Sequence, residues 1–304
     1  MPRFVPAVTM NRVANFLAAA IALAGIGVIT VEAWPLPAAE PITEPVGDAK
    51  RGAYLARLSG CITCHTQEGA APLSGGAALV SRFGSFYAPN ITSDAEAGIG
   101  TWTFEQFVRA VRQGVSPEGD PYYPAFPYEF YATLTDRDLA DIWAAIKSAP
   151  ADATPSRSHD VGFPFNVRSG LKLWRTFFER PATYVPDPSR SAEWNRGRYL
   201  VWGPAHCAAC HTPRNAVGGL PATEVLSGDP AMQDGGKAPG LTPNELTARG
   251  YTKAALVDAL RTGVTPDGDV FGGSMAEVVH GSTEYLLTTH LEDIATYLLD
   301  IGRN

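Results

Sequence analysis

The chain has few of the residues that crosslink proteins or bind metals. Its 304 residues include four cysteines, four methionines and six histidines, and no methionine lies between residues 11 and 231. The chain also lacks a basic excess. Its net charge of −7 disfavours nucleic-acid binding, because a phosphate-binding surface is normally basic. No nucleophile paired with a general base stands out either, so the interpretation depends on the few cysteines.

All four cysteines lie in two copies of one motif. The copies are Cys61-Ile62-Thr63-Cys64-His65 and Cys207-Ala208-Ala209-Cys210-His211. In each copy the two thiols can form thioethers with the vinyl groups of a haem, and the adjacent histidine can give an imidazole nitrogen to the iron. A shared zinc site would need ligands from two distant pairs, and a redox disulfide does not need the histidine. We therefore predict two covalently bound haems c, with His65 and His211 as iron ligands.

The N-terminus carries an export signal, as haem attachment outside the cytoplasm requires. Arg3 and Arg12 precede an apolar run from Val13 to Val31. The run is longer than a signal-peptide core and approaches the length that spans a bilayer. We expect an uncleaved anchor in the inner membrane, with the chain from Pro35 onward in the periplasm. A signal peptide cleaved near Ala38-Ala39 is the alternative.

Two sequence repeats follow the leader. Arg51-Gly52-Ala53-Tyr54-Leu55 precedes the first motif, and Arg196-Gly197-Arg198-Tyr199-Leu200 precedes the second. Each repeat is predicted to be a small helical domain whose closing helix buries an apolar face. Trp174, Phe177 and Phe178 in the linker need burial or a partner, so we expect the linker to act as a strap between the domains. The predicted divisions are a signal-anchor or signal peptide, a Pro-rich tether that holds the first domain off the membrane, the first domain, the linker and the second domain, at residues 1–34, 35–45, 46–148, 149–191 and 192–304.

The two repeats differ at the position predicted to supply the sixth iron ligand. Six residues after the matched aspartates Asp120 and Asp269 stand Phe126 and Met275. We number the haem at Cys61 and Cys64 haem 1 and the haem at Cys207 and Cys210 haem 2. A thioether from Met275 opposite His211 would raise the reduction potential of haem 2. Phenylalanine cannot ligate iron, so haem 1 is left five-coordinate or with another ligand. The alternatives left open are Met232 for haem 2, and His159, Lys147 or a nearby tyrosine for haem 1.

The sequence resembles the two-haem and three-haem cytochrome c subunits of membrane-bound bacterial dehydrogenases, including those of alcohol, gluconate and aldehyde oxidation. The resemblance covers nearly all of residues 46–302 and rests on four segments besides the haem motifs: Pro89-Asn90-Ile91-Thr92 with Gly98-Ile99-Gly100-Thr101-Trp102, Tyr123-Pro124-Ala125-Phe126-Pro127-Tyr128, Pro164-Phe165-Asn166-Val167-Arg168, and Ser191-Ala192-Glu193-Trp194-Asn195-Arg196-Gly197. It implies an all-α fold of two tandem class I cytochrome c-like domains joined by a Pro-rich strap.

The same resemblance implies roles for further residues and partners. It suggests that Asn90, Thr92 and Trp102 lie near a haem edge and help to hold the propionates; Trp102 as a core residue and Asn90 as a turn residue are the alternatives. In the family the position of Phe126 is often a ligating methionine, and this chain departs from that pattern. The implied function is electron transfer from a periplasmic dehydrogenase to a soluble cytochrome, the quinone pool or an oxidase. A dihaem enzyme with haem 1 as an open catalytic site is the alternative.

Overall fold

A computed structural model describes most of the chain after the leader. The described residues are 15–16, 18–19, 31–39, 41–179, 184–221, 225–232 and 234–302. Most of the apolar run predicted to anchor the protein therefore lies outside them. In the described ranges, no helix combines the length and the hydropathy needed to cross a bilayer.

The described chain is mostly helical. Its α-helices are α1 Ala49–Leu58, α2 Cys61–His65, α3 Phe104–Gln113, α4 Tyr128–Tyr131, α5 Asp136–Ser148, α6 Gly170–Phe178, α7 Ala192–Trp202, α8 Pro243–Ala248, α9 Lys253–Thr262, α10 Gly273–Gly281 and α11 Thr288–Leu298. Short 3-10 helices span Cys207–Ala209 and Thr283–Tyr285, and three strands are β1 Ala78–Ser81, β2 Gly84–Tyr87 and β3 Asp160–Val161.

Three short strands accompany the helices and were not predicted from the sequence. They form one antiparallel sheet in the order β1, β2, β3, and β3 belongs to the linker between the repeats. Gly84 pairs with Val161 and has a φ of 132°. A Cβ atom there would overlap the carbonyl oxygen of Asp160, so only glycine permits this pairing.

In the first repeat the opening helix packs across the closing helix. α1 crosses α5 at Gly52, where a Cβ atom would overlap the carbonyl oxygen of Asp141. The adjacent Arg51 forms ion pairs with Asp138 and Asp141 of α5. The absence of a side chain at Gly52 therefore sets how closely the two helices approach, and Arg51 fixes their register.

The second repeat contains the same kind of helix crossing at a glycine. α7 crosses α11 at Gly197, where a Cβ atom would overlap the carbonyl oxygen of Asp293. Arg196 pairs with the Asp293 carboxylate at 2.9 Å. The predicted apolar faces of both closing helices are buried, which confirms their place in the core: Leu139, Ile142, Trp143, Ile146, Leu291, Ile294, Tyr297 and Leu298.

Helix starts follow the predicted capping residues. Thr103 accepts a hydrogen bond from the Gln106 amide at 3.2 Å, and the Gln106 side chain accepts one from the Thr103 amide at 2.9 Å. This capping box opens α3 as predicted. Thr252 caps α9 in the second repeat by accepting from the Ala255 amide at 3.2 Å.

The linker contacts both repeats through α6. Trp174 Nε1 donates to the carbonyl oxygen of Val217 in the second repeat at 2.8 Å. The neighbouring Arg175 is buried and donates to the carbonyl oxygen of Gly114 in the first repeat at 3.0 Å. α6 therefore contacts both repeats, while the predicted division of the chain into two domains and a strap stays a prediction.

The Pro-rich segment after the leader does not project away from the first repeat. Gln113 donates through Nε2 to the carbonyl oxygen of Ala38 at 2.8 Å, and Ile42 packs against the core. The expectation that this segment holds the first domain off the membrane stays a prediction. The contacts of Ala38 and Ile42 place this part of the segment along the surface of the first repeat.

Candidate haem sites

The two cysteine motifs adopt short helical turns after a residue of positive φ. Gly60 has a φ of 72° before α2, and its carbonyl oxygen accepts from the Cys64 amide at 2.8 Å. His206 has a φ of 35° before the second motif, where the His211 amide donates to the Cys207 carbonyl oxygen at 3.0 Å. In both motifs the first cysteine is half-buried and the second is exposed. Each turn thus brings two thiols and a histidine onto one short segment.

Both motif histidines are oriented by the same hydrogen bond. Nδ1 of His65 donates to the carbonyl oxygen of Pro89 at 2.7 Å, and Nδ1 of His211 donates to that of Pro239 at 2.7 Å. Because a carbonyl oxygen can only accept, the hydrogen is fixed on Nδ1 and the lone pair remains on Nε2. Burial lowers the pKa of both imidazoles and favours this neutral form. A neutral imidazole with a free Nε2 is the form that ligates iron.

A second pair of contacts shapes the loop after each histidine. Thr66 Oγ1 accepts from the Leu73 amide at 3.1 Å, and Thr212 Oγ1 accepts from the Leu226 amide at 3.0 Å. Both leucines have positive φ, at 67° and 58°. Neither these residues nor the two prolines were predicted from the sequence. The sequence does contain a repeated tripeptide that marks both loops. Leu-Ser-Gly begins at Leu73 after the first motif and at Leu226 after the second, before Pro89 and Pro239 respectively.

The thiols fit thioether formation better than a role as free thiolates. Burial raises the pKa of Cys61 and of Cys207, the first cysteine of each motif, to about 12. A thioether carries no charge, so it loses nothing in such surroundings. Together with the oriented histidines, the donor set matches a covalently bound haem at each motif.

In both repeats, a loop with the same hydrogen bond precedes the position at which the first repeat has Phe126 and the second has Met275. The Tyr122 amide donates to the Gly114 carbonyl oxygen at 2.7 Å, and the Phe271 amide donates to that of Gly263 at 2.8 Å. Phe126 and Met275 each stand four residues further on, at the matched position. Phe126 then precedes α4, whereas Met275 is half-buried within α10.

Other candidate ligands of haem 1 make contacts of their own. His159 Nδ1 accepts from the Tyr87 amide at 3.2 Å, so its neutral ring carries the proton on Nε2. Lys147 donates to the carbonyl oxygen of Gly100. Ligation by His159 would require a different tautomer, and ligation by Lys147 would break its hydrogen bond. Met232, the alternative ligand of haem 2, lies in a turn in which its amide donates to Gly236.

Asn90 and Thr92 are buried and hydrogen-bonded to the protein itself. Nδ2 of Asn90 donates to the carbonyl oxygens of Asp152 and Thr154, both at 2.8 Å, and its Oδ1 accepts from the Thr92 amide at 2.9 Å. Asn90 thereby secures the segment that carries Pro89, the partner of His65. Trp102 is half-buried against the core. The predicted contacts of these residues with haem propionates stay predictions.

The two motifs lie against each other across the boundary between the repeats. A Cβ atom at Gly60 would lie 3.6 Å from Cε1 of His206, beside the second motif. The His206 ring packs edge-on to Tyr131 of the first repeat, with ring centroids 5.4 Å apart. Thr63, inside the first motif, packs against Gly281 at the end of α10. Groups attached at the two motifs would therefore be neighbours.

Comparison with known proteins connects this geometry to a family, although no protein-family model matches the chain. A dihaem cytochrome c-type protein of Cereibacter sphaeroides is 38% identical over 257 residues, which is 83% of this chain and 85% of that protein. The gluconate 2-dehydrogenase cytochrome c subunit of Pantoea cypripedii is 36% identical over 83% of this chain and 59% of its own length. The cytochrome c subunit of the quinone alcohol dehydrogenase of Gluconobacter oxydans is 39% identical over 82% of this chain and 54% of its own length.

The chain spans little more than half the length of the two dehydrogenase subunits but most of the dihaem relative. The alignments reach beyond either motif alone, since they cover more than four fifths of this chain. Taken with the paired motifs and their oriented histidines, this similarity shows that the chain belongs to the family of dihaem c-type cytochromes and dehydrogenase cytochrome c subunits.

Proposed function

We propose that the chain is a dihaem c-type cytochrome that transfers electrons from a periplasmic dehydrogenase to the respiratory chain. The observation that carries the proposal is the matched orientation of the two motif histidines. In each repeat a proline carbonyl oxygen, from Pro89 or Pro239, holds Nδ1 and leaves Nε2 free. A bound haem supplies a one-electron redox centre, and the protein supplies its ligands, burial and position.

The residue roles follow the repeat. Cys61 and Cys64 attach haem 1, and Cys207 and Cys210 attach haem 2. His65 and His211 would ligate the irons, and Met275 would supply a second protein ligand to the iron of haem 2, which would favour its reduced state. Phe126 leaves haem 1 without a thioether ligand, so the two centres differ in potential. The short separation of the motifs favours electron exchange between them.

The architecture in this proposal is two tandem class I cytochrome c-like domains at residues 46–148 and 192–304, joined by the strap at 149–191. The apolar run from Val13 to Val31 anchors the protein in the inner membrane, with the remainder in the periplasm. The partners are the catalytic subunit of the dehydrogenase and a downstream cytochrome or oxidase. The alternative of a dihaem enzyme is not favoured, because the relatives are named as cytochromes and cytochrome subunits.

Haem counting tests the attachment sites. The pyridine haemochrome of the purified chain is expected to give two haems c per polypeptide. Cys61→Ala/Cys64→Ala should lose one of them and Cys207→Ala/Cys210→Ala the other. Two haems in either double variant, or none in the parent, would contradict the proposal.

Axial ligation is tested on the ferric and reduced protein by optical and EPR spectroscopy. Met275→Ala should abolish the iron–thioether charge-transfer band and create a carbon monoxide-binding haem, and Met232→Ala is the control that should leave the band intact. Loss of the band in Met232→Ala alone would assign the ligand to the loop that contains Met232.

Electron transfer itself is tested by adding alcohol, gluconate or fructose to membranes that contain the cognate dehydrogenase. The haem bands of the cytochrome should become reduced with one of these substrates, and they should stay oxidised when the cytochrome is added to membranes that lack the dehydrogenase.

A further inference from the structure

The first described residues after the apolar run are held against the strap helix α6. The carbonyl oxygen of Glu32 accepts from Lys172 Nζ at 2.6 Å, and Nε1 of Trp34 donates to Thr176 Oγ1 at 2.9 Å. Lys172 and Thr176 are four residues apart on one stripe of the helix. Glu32 directly follows Val31, the last residue of the apolar run. The end of that run is therefore fixed beside α6.

Next to this attachment, α6 carries the half-buried Leu173 and the exposed Phe177. Leu173 and Phe177 are four residues apart on the stripe next to Lys172 and Thr176. Phe177 is 69% exposed, whereas Arg175, on the inner side, is 5% exposed. We define the strap face as Trp34, Lys172, Leu173, Thr176 and Phe177. It combines an indole, a long cationic side chain and an exposed phenyl ring.

We propose that the strap face lies on the phospholipid bilayer and holds both repeats in a fixed orientation to the membrane. The inference rests on the proposed membrane anchoring. If the run that ends at Val31 enters the bilayer, Glu32 lies at its surface, and the hydrogen bond from Lys172 brings α6 to the same level. Tryptophan, lysine and phenylalanine are the side chains suited to that interface, because each has an apolar part and the first two reach polar groups.

The contacts of α6 on its other side extend this orientation to both haem motifs. Arg175 joins the helix to Gly114 of the first repeat, and Trp174 joins it to Val217 of the second, shortly after His211. A helix at the bilayer surface with both attachments leaves neither repeat free to swing. The same side of the protein would then face the membrane at all times.

Site-specific photocrosslinking of the full-length holoprotein in vesicles tests the inference. Phe177→p-benzoylphenylalanine is compared with Val270→p-benzoylphenylalanine in vesicles of phosphatidylethanolamine and phosphatidylglycerol. Val270 is 66% exposed and belongs to the second repeat, so it matches Phe177 in accessibility but not in place. After irradiation, phospholipid adducts are measured by mass spectrometry of the peptides. Flotation of the vesicles and haem content are measured on the same samples.

The expected result is a several-fold excess of phospholipid adduct at position 177 over position 270 in chains that float with the vesicles. Equal adducts at the two positions, or a crosslink from position 177 to a second protein chain, would overturn the inference while leaving the anchoring intact. A chain that does not float would overturn both. Haem content reports separately on the proposed electron-transfer function, because a chain lacking haem can still float and crosslink.

Discussion

The hydroxyl of Tyr54 in the first repeat lies 2.6 Å from Nδ1 of His290 in the second. The same hydroxyl accepts a hydrogen bond from the Leu287 amide at 3.3 Å, where helix α11 begins. Burial raises the pKa of Tyr54, which keeps the phenol protonated. One tyrosine of the opening helix thus reaches the start of the other repeat's closing helix.

Tyr199 makes the reciprocal contact. It occupies the position of Tyr54 in the second copy of the Arg-Gly-x-Tyr-Leu repeat. Its hydroxyl accepts from the Thr135 amide at 3.2 Å, at the start of α5, and donates to the Asp138 carboxylate. Asp138 follows Thr135 by three residues, as His290 follows Leu287. The two repeats are therefore joined by one contact made twice.

Removing either hydroxyl should weaken the association of the repeats. We expect Tyr54→Phe and Tyr199→Phe each to lower the free energy of unfolding by about 1 kcal/mol, since each leaves a buried or half-buried partner unsatisfied. The larger loss should come from Tyr199→Phe, because its partner is a carboxylate. Denaturant unfolding followed by circular dichroism measures the change. Tyr87→Phe is the control, since it keeps the ring contact with Arg157; a loss as large in this variant would argue against the specific contact.

The helix crossings at the two glycines should tolerate no side chain. Gly52→Ala and Gly197→Ala would each place a Cβ atom on a carbonyl oxygen of the closing helix, and we expect a loss of about 1–3 kcal/mol in unfolding free energy. Gly170→Ala is the matched helical control, because no other group comes within 4 Å of its Cβ position. It should be neutral or stabilising by up to about 1 kcal/mol. If all three variants unfold alike, the close approach is not what these glycines provide.

The buried pair in the strap should couple strongly. Arg175 Nη2 donates to Glu179 Oε1 at 2.9 Å, and both side chains are buried. Arg175→Met leaves the Glu179 carboxylate without its cation, and we expect a loss of about 3–5 kcal/mol in unfolding free energy. Arg175→Met/Glu179→Met should recover most of that loss, because no unpaired charge remains. If the loss in the double variant equals the sum of the losses in Arg175→Met and in Glu179→Met, the pair is not coupled.

Glu129 should make stability depend on pH near neutrality. Burial raises the pKa of its carboxyl from 4.5 to about 7. Since the folded state holds this proton more tightly than the unfolded state, the contribution is present in full below pH 4.5 and is lost as pH rises through about 7. Glu129→Gln should therefore remove a decline in unfolding free energy of up to about 3 kcal/mol between these limits. The exposed Glu105→Gln should keep the decline; an unchanged profile in Glu129→Gln would contradict the assignment.

Local sequence signals predicted the parts of the fold that depend on neighbours in the chain. The Thr103 and Gln106 capping box and the apolar stripes of the closing helices are such parts. The sheet was missed because β3 comes from the linker and its pairing depends on Gly84, whose requirement appears only when Asp160 is beside it. A short segment such as Asp160–Val161 carries no periodicity of its own.

For the haem sites, spacing predicted the cysteines and histidines but not what orients them. Pro89 and Pro239 act through carbonyl oxygens, which every residue possesses, so side-chain chemistry gives no sign of their role. The repeat of Leu-Ser-Gly was visible, yet the positive φ of Leu73 and Leu226 is unusual for leucine and follows from the loop closure by the preceding threonines. The tyrosine contacts between repeats likewise need the three-dimensional pairing to be recognised.

The reciprocity of Tyr54 and Tyr199 limits how the protein can be extended. A contact in which the same surface of each copy serves both partners is isologous, and two copies saturate it. Neither repeat therefore retains a vacant copy of this surface through which another repeat could be added. Any further cytochrome unit that joins this pair must use different residues, and an open-ended array cannot grow from the contact described here.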